Sequence, residues 1–433
     1  MQPGAHLGVD RVAGLGSVDG DERHGAAHLE QNRIAHRRTP RVDRGEQAPL
    51  AYQIGTGGTA SGPTTTDPAS PAAQPCSGAA RRRERLLNTS SRLDARTLLD
   101  LVRSGTACAP LSPLEGTSHA LVELDAHVAT QEADRGLLSG WLGAQACPVI
   151  GISTERERHE LAFACDAVVQ DASEASELIA NIEGAPLAAM VLVQLLRATE
   201  GLAAAPALVM ESLAYATLQD GKEFRRWLAR TERPAAAVPQ EEGPPVLIER
   251  NGAQLSLCLN RPARRNALSV EMRDALVEAL EFAALDSSVS EVVIRGAGRC
   301  FSAGGDLSEF GSVSDPSTAH AVRSTRSVPQ LLARCAGKLR CEVHGAAVGA
   351  GMELAAFGAR VQASPDTFFQ LPEIRFGLIP GSGGCVSIPR RIGRLRTGLL
   401  ALSGRRLDAR TAHEWGLVDQ LAFPAVAARS ARA

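Results

Sequence analysis

The 433-residue sequence predicts an α/β protein on three observations. From about residue 91 to 234, the apolar runs HALVELD, CPVIGIS and CDAVVQD alternate with helical stretches such as residues 174–181. Between Cys300 and Gly384 lie two Gly/Ala turns, FSAGGDL at 301–307 and AVGAG at 347–351, followed by Glu353 in GAGMELA and Glu373 in LPEIRFGLIPG. Ahead of both, residues 1–90 are rich in Gly, Ala, Arg, Ser, Thr and Pro without helical or strand period. The run at 55–75, GTGGTASGPTTTDPASPAAQP, is of low complexity, so this segment is expected to be disordered. The stretch AAAVPQEEGPP at 235–245 reads as a linker to a last region, 246–433.

The turns and glutamates belong to one chemistry. Moving a proton beside a thioester carbonyl, or adding water across the neighbouring double bond, places negative charge on the thioester oxygen, and preorganised donors must meet it. Backbone N–H groups in Gly/Ala turns serve, because small side chains let the reacting carbonyl approach the main chain. The run from Ala350 to Phe357 reads as the first turns of an apolar helix whose free N–H groups and dipole face such an oxyanion. Two carboxyl groups then divide the proton transfers, each tuned by a partly apolar pocket. Taken singly, each element also has a structural role: FSAGGDL as a strand-to-helix turn, GAGMEL as a tightly packed helix start, and Glu373 after Pro372 as a dipole-stabilising carboxylate. It is their order along the chain that is specific, together with His344-Gly345 and the Pro380-Gly381 turn.

These residues resemble the crotonase superfamily of enoyl-CoA hydratases and isomerases. The resemblance runs from about 245 to 421, through VLIERNGAQLSLCLNRP, taken as one strand, ARRNALS, the helix EMRDALVEALEFAALD, the strand SEVVIRGAG and the closing LSGRRLDARTAHEWGLVDQL. It implies a crotonase-like spiral of ββα units, an oxyanion hole from the N–H groups of Gly305 and Ala350, and catalytic Glu353 and Glu373. Gly381 matches the position near the attacked carbon and water. Arg264, Arg265, Ala267, Ala303, Asp306 and Leu307 match the stretch that holds the pantetheine, adenine and phosphates of coenzyme A. Both carboxylates being present favours a hydratase acting on an acyl-CoA substrate, with no cofactor beyond the coenzyme A of that substrate. An isomerase, a lyase, a cofactor-free arylacetyl-CoA dioxygenase and a non-catalytic acyl-CoA-binding subunit stay open. Homotrimer or hexamer assembly is implied by the family alone.

The 91–234 region is α/β and helix-rich, and it resembles a degenerate crotonase-like half. ACDAVV is similar to the strand after the catalytic helix, and the stretch from GAPLAAMVLVQLLR to EFRRWLAR is similar to the family's C-terminal helices. The 246–433 region is short by comparison with the family, so the helices around 186–228 are expected to cover the acyl pocket. An unrelated helical interaction domain is the alternative. No catalytic set is visible in this region: Glu155, Glu157 and Glu160 alternate with Arg and His, as on an exposed surface.

Composition limits the partners. A net charge of −2 and 3% aromatic residues argue against nucleic acid. No apolar run suited to a bilayer or a signal peptide is visible, and nine dispersed cysteines without a C-x-x-C pair fit free thiols, so a cytoplasmic protein is expected. The basic run 81–85 reads as a solvated helix start. His24 and His28 have metal-ligand spacing but no third ligand, so no metal site is expected.

Overall fold

The computed structural model describes residues 93–105, 111–125, 132–231, 241–313 and 315–422. The expectations for residues 1–90 and for most of the linker lie outside them. In the first part, β1 (Leu93–Asp94), α1 (Ala95–Arg103), β2 (Ala120–Glu123), α2 (Glu132–Gly143), β3 (Val149–Ile152) and β4 (Ala167–Val169) follow in order. The four strands pair in parallel as β1-β2-β3-β4. Every residue of β3 is buried, as befits a parallel strand covered on both faces. The Asp94 carboxylate starts α1 by accepting from Thr97 N at 2.8 Å.

Four helices come next: α3 (Ala172–Gly184), α4 (Pro186–Thr199), α5 (Ala204–Gln219) and α6 (Lys222–Arg230). Pro186 sits at the first turn of α4, where its missing N–H costs nothing. The stretch from Ala207 to Ala229 is divided at Gly221. Asp220-Gly221 ends α5 and starts α6, and Gly221 N donates to Leu218 O at 2.8 Å. Half of α4 is buried, which is where its nearly all-round apolar sequence belongs. Among the described residues, no single helix is long and apolar enough to cross a membrane.

The remaining chain is a crotonase-like spiral. Its elements are β5 (Val246–Asn251), β6 (Gln254–Leu259), α7 (Val270–Leu285), β7 (Glu291–Gly296), α8 (Pro316–Thr325), α9 (Val328–Cys335), β8 (Leu339–Val343), β9 (Ala346–Val348), α10 (Ala350–Ala355), β10 (Arg360–Ala363) and β11 (Phe368–Gln370). It ends with α11 (Gly384–Ser403), broken at Gly393, then β12 (Arg406–Asp408), α12 (Ala409–Trp415) and β13 (Gln420–Leu421). Residues 246–259 are not a single strand but a hairpin. Gly252 turns it with φ of 59°, a conformation that glycine adopts without penalty. The spiral contains a six-stranded sheet, β13-β10-β8-β7-β6-β5, and a three-stranded one, β12-β11-β9.

One hydrophobic core runs through both parts. Leu192 and Val193 of α4 and Leu208 of α5 belong to the same buried cluster as Leu354, Ile388 and Leu399 of the spiral. A smaller core, around Leu98, Val122, Leu138 and Leu142, lies within the first sheet. The sheet is tied to the helices through Asp166, which is buried, accepts from Val149 N at 2.8 Å and pairs with Arg197 and Arg394.

Candidate active site

The two Gly/Ala turns lie side by side. Ser302 N donates to Ala346 O at 3.1 Å and Val348 N to Ser302 O at 3.0 Å, so the first turn is stitched to the strand that feeds the second. Buried Asn266 locks the same loop, its Nδ2 donating to the carbonyls of Ala297, Cys300 and Phe301. A side chain at Gly351 would come within 2.7 Å of Ser302 O, so only glycine lets α10 start this close to the first turn. The N–H groups of Gly305 and Ala350 take no hydrogen-bond partner among the described residues. Both border a cavity of about 240 Å³.

That cavity also takes in Glu353, Glu373 and Gly381. Glu353 is 2% exposed, and its Oε2 accepts from Ser382 N at 2.5 Å and Gly384 N at 2.8 Å. Burial pushes its carboxyl up to about 7, against the pull of these two N–H groups and of Arg323. Glu373 lies against Gly349, and its buried Oε2 has no hydrogen-bond partner. Burial, then the neighbouring Glu353, hold this carboxyl well above the ordinary range. The two acids therefore differ in support: one is gripped by the backbone, the other is desolvated and bare.

Of the residues matched to coenzyme A, Asp306 borders the cavity and the others form the adjoining loops. Arg264 is paired with Asp306 at 3.1 Å and Ala303 N donates to Arg265 O at 2.9 Å. Leu268 N donates to Gly304 O at 2.8 Å, which joins the loop carrying Ala267 to the first glycine turn. Leu307 is 42% exposed.

The opposite wall comes from α5, through Leu208, Glu211, Ser212 and Tyr215. Glu211 is 2% exposed and accepts from Gly383 N at 2.7 Å and Cys385 N at 2.9 Å. Burial, then Glu353, raise its carboxyl to about 8. The Tyr215 ring lies on Gly381, where an added Cβ would come within 2.1 Å of it, and the Arg323 guanidinium stacks 3.8 Å from the ring centre. Arg323 also donates to Gly381 O. Of the helices expected around 186–228 to cover an acyl pocket, α5 lines this cavity. Glu211 and Tyr215 themselves were not singled out in the sequence. Their signal was an acid on the same helical face as the buried Leu208, Ser212 and Tyr215.

Residues 249–432 match the family model described as Enoyl-CoA hydratase/isomerase. The sequence is 40% identical over 182 residues to the 2,3-dehydroadipyl-CoA hydratase of Escherichia coli (strain K12), covering 41% of this chain and 69% of that protein. The chain belongs to the enoyl-CoA hydratase/isomerase family. It is also 38% identical over 174 residues to the 1,2-epoxyphenylacetyl-CoA isomerase of the same organism, covering 39% of this chain and 65% of that protein. A solved enoyl-CoA hydratase from Mycobacterium smegmatis is 32% identical, with a TM-score of 0.39, covering 41% of this chain and 70% of that one. The matched part of this enoyl-CoA hydratase/isomerase family member thus spans about two thirds of these relatives, and the family model begins after α6. Glu211 and Tyr215 lie outside it.

Proposed function

We propose that the protein hydrates a 2-enoyl-CoA thioester, or dehydrates the corresponding 3-hydroxyacyl-CoA. The observation that carries this reading is the pairing of a backbone-gripped Glu353 and a desolvated Glu373 in one cavity with the unengaged N–H groups of Gly305 and Ala350. In the hydration direction, the two N–H groups bind the thioester oxygen and stabilise the enolate that forms there. Glu353, with Oε2 occupied by the two backbone donors, takes a proton from water through Oε1 as the water oxygen bonds to C3. Glu373, held protonated by burial, gives its proton to C2, and the C2–C3 double bond becomes single. Gly381, roofed by Tyr215, borders the space for the water and C3. Arg264, Arg265, Ala267, Ala303, Asp306 and Leu307 form the ledge along which the coenzyme A moiety extends. The reaction needs no cofactor beyond the coenzyme A of the substrate. The name of the first relative supports a hydratase and that of the second an isomerase; the presence of both carboxyl groups favours the first.

The test is the loss of conjugated enoyl-thioester absorbance with crotonyl-CoA and a longer 2-enoyl-CoA, for wild type, Glu353→Gln and Glu373→Gln. Turnover in the wild type and its loss in both variants is expected. Binding of these esters without turnover overturns the hydratase reading, and double-bond migration in the products moves it to an isomerase.

A further inference from the structure

We propose that Glu211, supplied by α5, is a positioning residue that fixes the turn before α11 and thereby aims the Glu353 carboxylate. The inference rests on the reading of Glu353 as the water-activating base. Four successive N–H groups are shared alternately between two carboxylates: Ser382 and Gly384 donate to Glu353, Gly383 and Cys385 to Glu211. These are the unpaired donors that the start of a helix leaves over, and a carboxylate has lone pairs enough for two of them. The turn has little of its own to hold it in shape. Gly381, Gly383 and Gly384 fall within four residues, and Gly383 has φ of 97°. Its side chains are small because its surroundings leave no room: an added Cβ at Gly384 would come within 2.5 Å of Glu353 Cγ. The conformation that presents Ser382 N and Gly384 N to Glu353 is therefore imposed from outside. The Glu211 bonds impose it on one side, and Tyr215, one turn along α5, closes the other side over Gly381.

The charged and titratable groups around Glu211 are Glu353 on α10, Glu373, Arg323 on α8, Cys385 on α11 and Tyr215 on its own helix. His320 of α8 approaches through Ser212. In Glu211→Gln one carboxyl oxygen becomes an NH₂ group, so one of the two backbone donors loses its acceptor. We expect kcat for hydration to fall roughly 10- to 100-fold, the scale on which misplacing a catalytic group acts, with KM within about twofold. The acid limb of the kcat profile should move to higher pH, because the loosened turn no longer aims Ser382 N and Gly384 N at Glu353, and these two donors hold its carboxyl down. Glu211→Asp keeps the acid but retracts it from the turn; it should lower kcat and displace the limb in the same direction, and it serves if the Gln variant does not fold. A merely structural Glu211 would lower the melting temperature and leave kcat per folded molecule and the pH limb unchanged, which overturns the inference.

Hydration by the wild type that is lost in Glu353→Gln but untouched in Glu211→Gln sinks the positioning role alone. If the wild type hydrates nothing, the hydratase reading fails separately. The positioning role is then read from the infrared C=O band of protonated Glu353, assigned by its absence in Glu353→Gln. Its titration midpoint should rise in Glu211→Gln as the Ser382 and Gly384 donors are lost, and an unmoved midpoint overturns the inference.

Discussion

The spiral from Val246 onward and the helices α3–α6 build the same site by different means. In the spiral, the site rides on short backbone motifs: two glycine turns that leave N–H groups unengaged among the described residues, and two glutamates, Glu353 two residues and Glu373 22 residues behind the second turn. In the helices no motif is present at all, and α5 contributes through what its buried face happens to touch. Catalytic geometry that depends on main-chain shape leaves a local trace in sequence. Geometry that depends on packing across 172 residues, as between Glu211 and Gly383, does not.

The sharpest way to break this comparison is to separate the parts. A chain beginning at Pro244 would expose the surfaces of Leu354, Ile388 and Leu399 that now share a core with α4 and α5, and would leave the turn before α11 without Glu211. It is expected to show neither a cooperative thermal transition nor turnover; full activity would mean the helices are dispensable. Next in size, Glu353→Gln and Glu373→Gln in the intact chain should each lower kcat by roughly 10²- to 10⁴-fold, the usual worth of a general acid or base, with the fold retained by circular dichroism.

A smaller effect tests the roof over the site. Gly381→Ala places a methyl group where the Tyr215 ring now lies, so overpacking should cost about 1–3 kcal/mol in denaturant unfolding. Combining it with Tyr215→Ala should cost less than the sum of the two single changes, since the removed ring leaves space for the methyl. Strict additivity would show that the contact is not the source of the strain.

The smallest effect concerns pH. Glu353 and Glu211 have folded-state values raised to about 7 and about 8, above the ordinary carboxyl range, so the native state holds protons that the unfolded chain has released. Their contribution to stability is complete below the unfolded value and is lost as pH rises through the folded ones. The urea midpoint should therefore fall between pH 5 and pH 8.5, and fall less in Glu211→Gln. A midpoint rising over that interval would contradict the burial of these acids.

Much of the fold was readable. The strands at 120–123, 149–152 and 167–169 follow from short apolar runs bounded by polar residues, and Glu291–Gly296 from SEVVIRG. The hairpin was taken for one strand because Asn251-Gly252 interrupts an otherwise continuous extended run, though Asn-Gly is itself a turn signal. At the site, Gly305, Ala350, Glu353, Glu373 and Gly381 were each marked by a turn or a glycine, and the structure gathers them around one cavity. Glu211 had only the period of its helix to betray it. A single acid on an apolar face is also what a helix crossing between two layers shows, and its partners are backbone groups with no side-chain signature.

The shared core sets an order of events during synthesis. At about 5–20 residues per second, the 172 residues between Glu211 and Gly383 take roughly 10–35 s to appear, and α4 and α5 are made long before the spiral that covers them. Throughout that interval, Leu192, Val193 and Leu208 have no partner surface from the spiral, and the Glu211 carboxylate remains in water at its ordinary affinity for protons. The active site of this chain is thus closed from its earlier half by its later one, and the nascent helices are the stage at which a chaperone has most to shield.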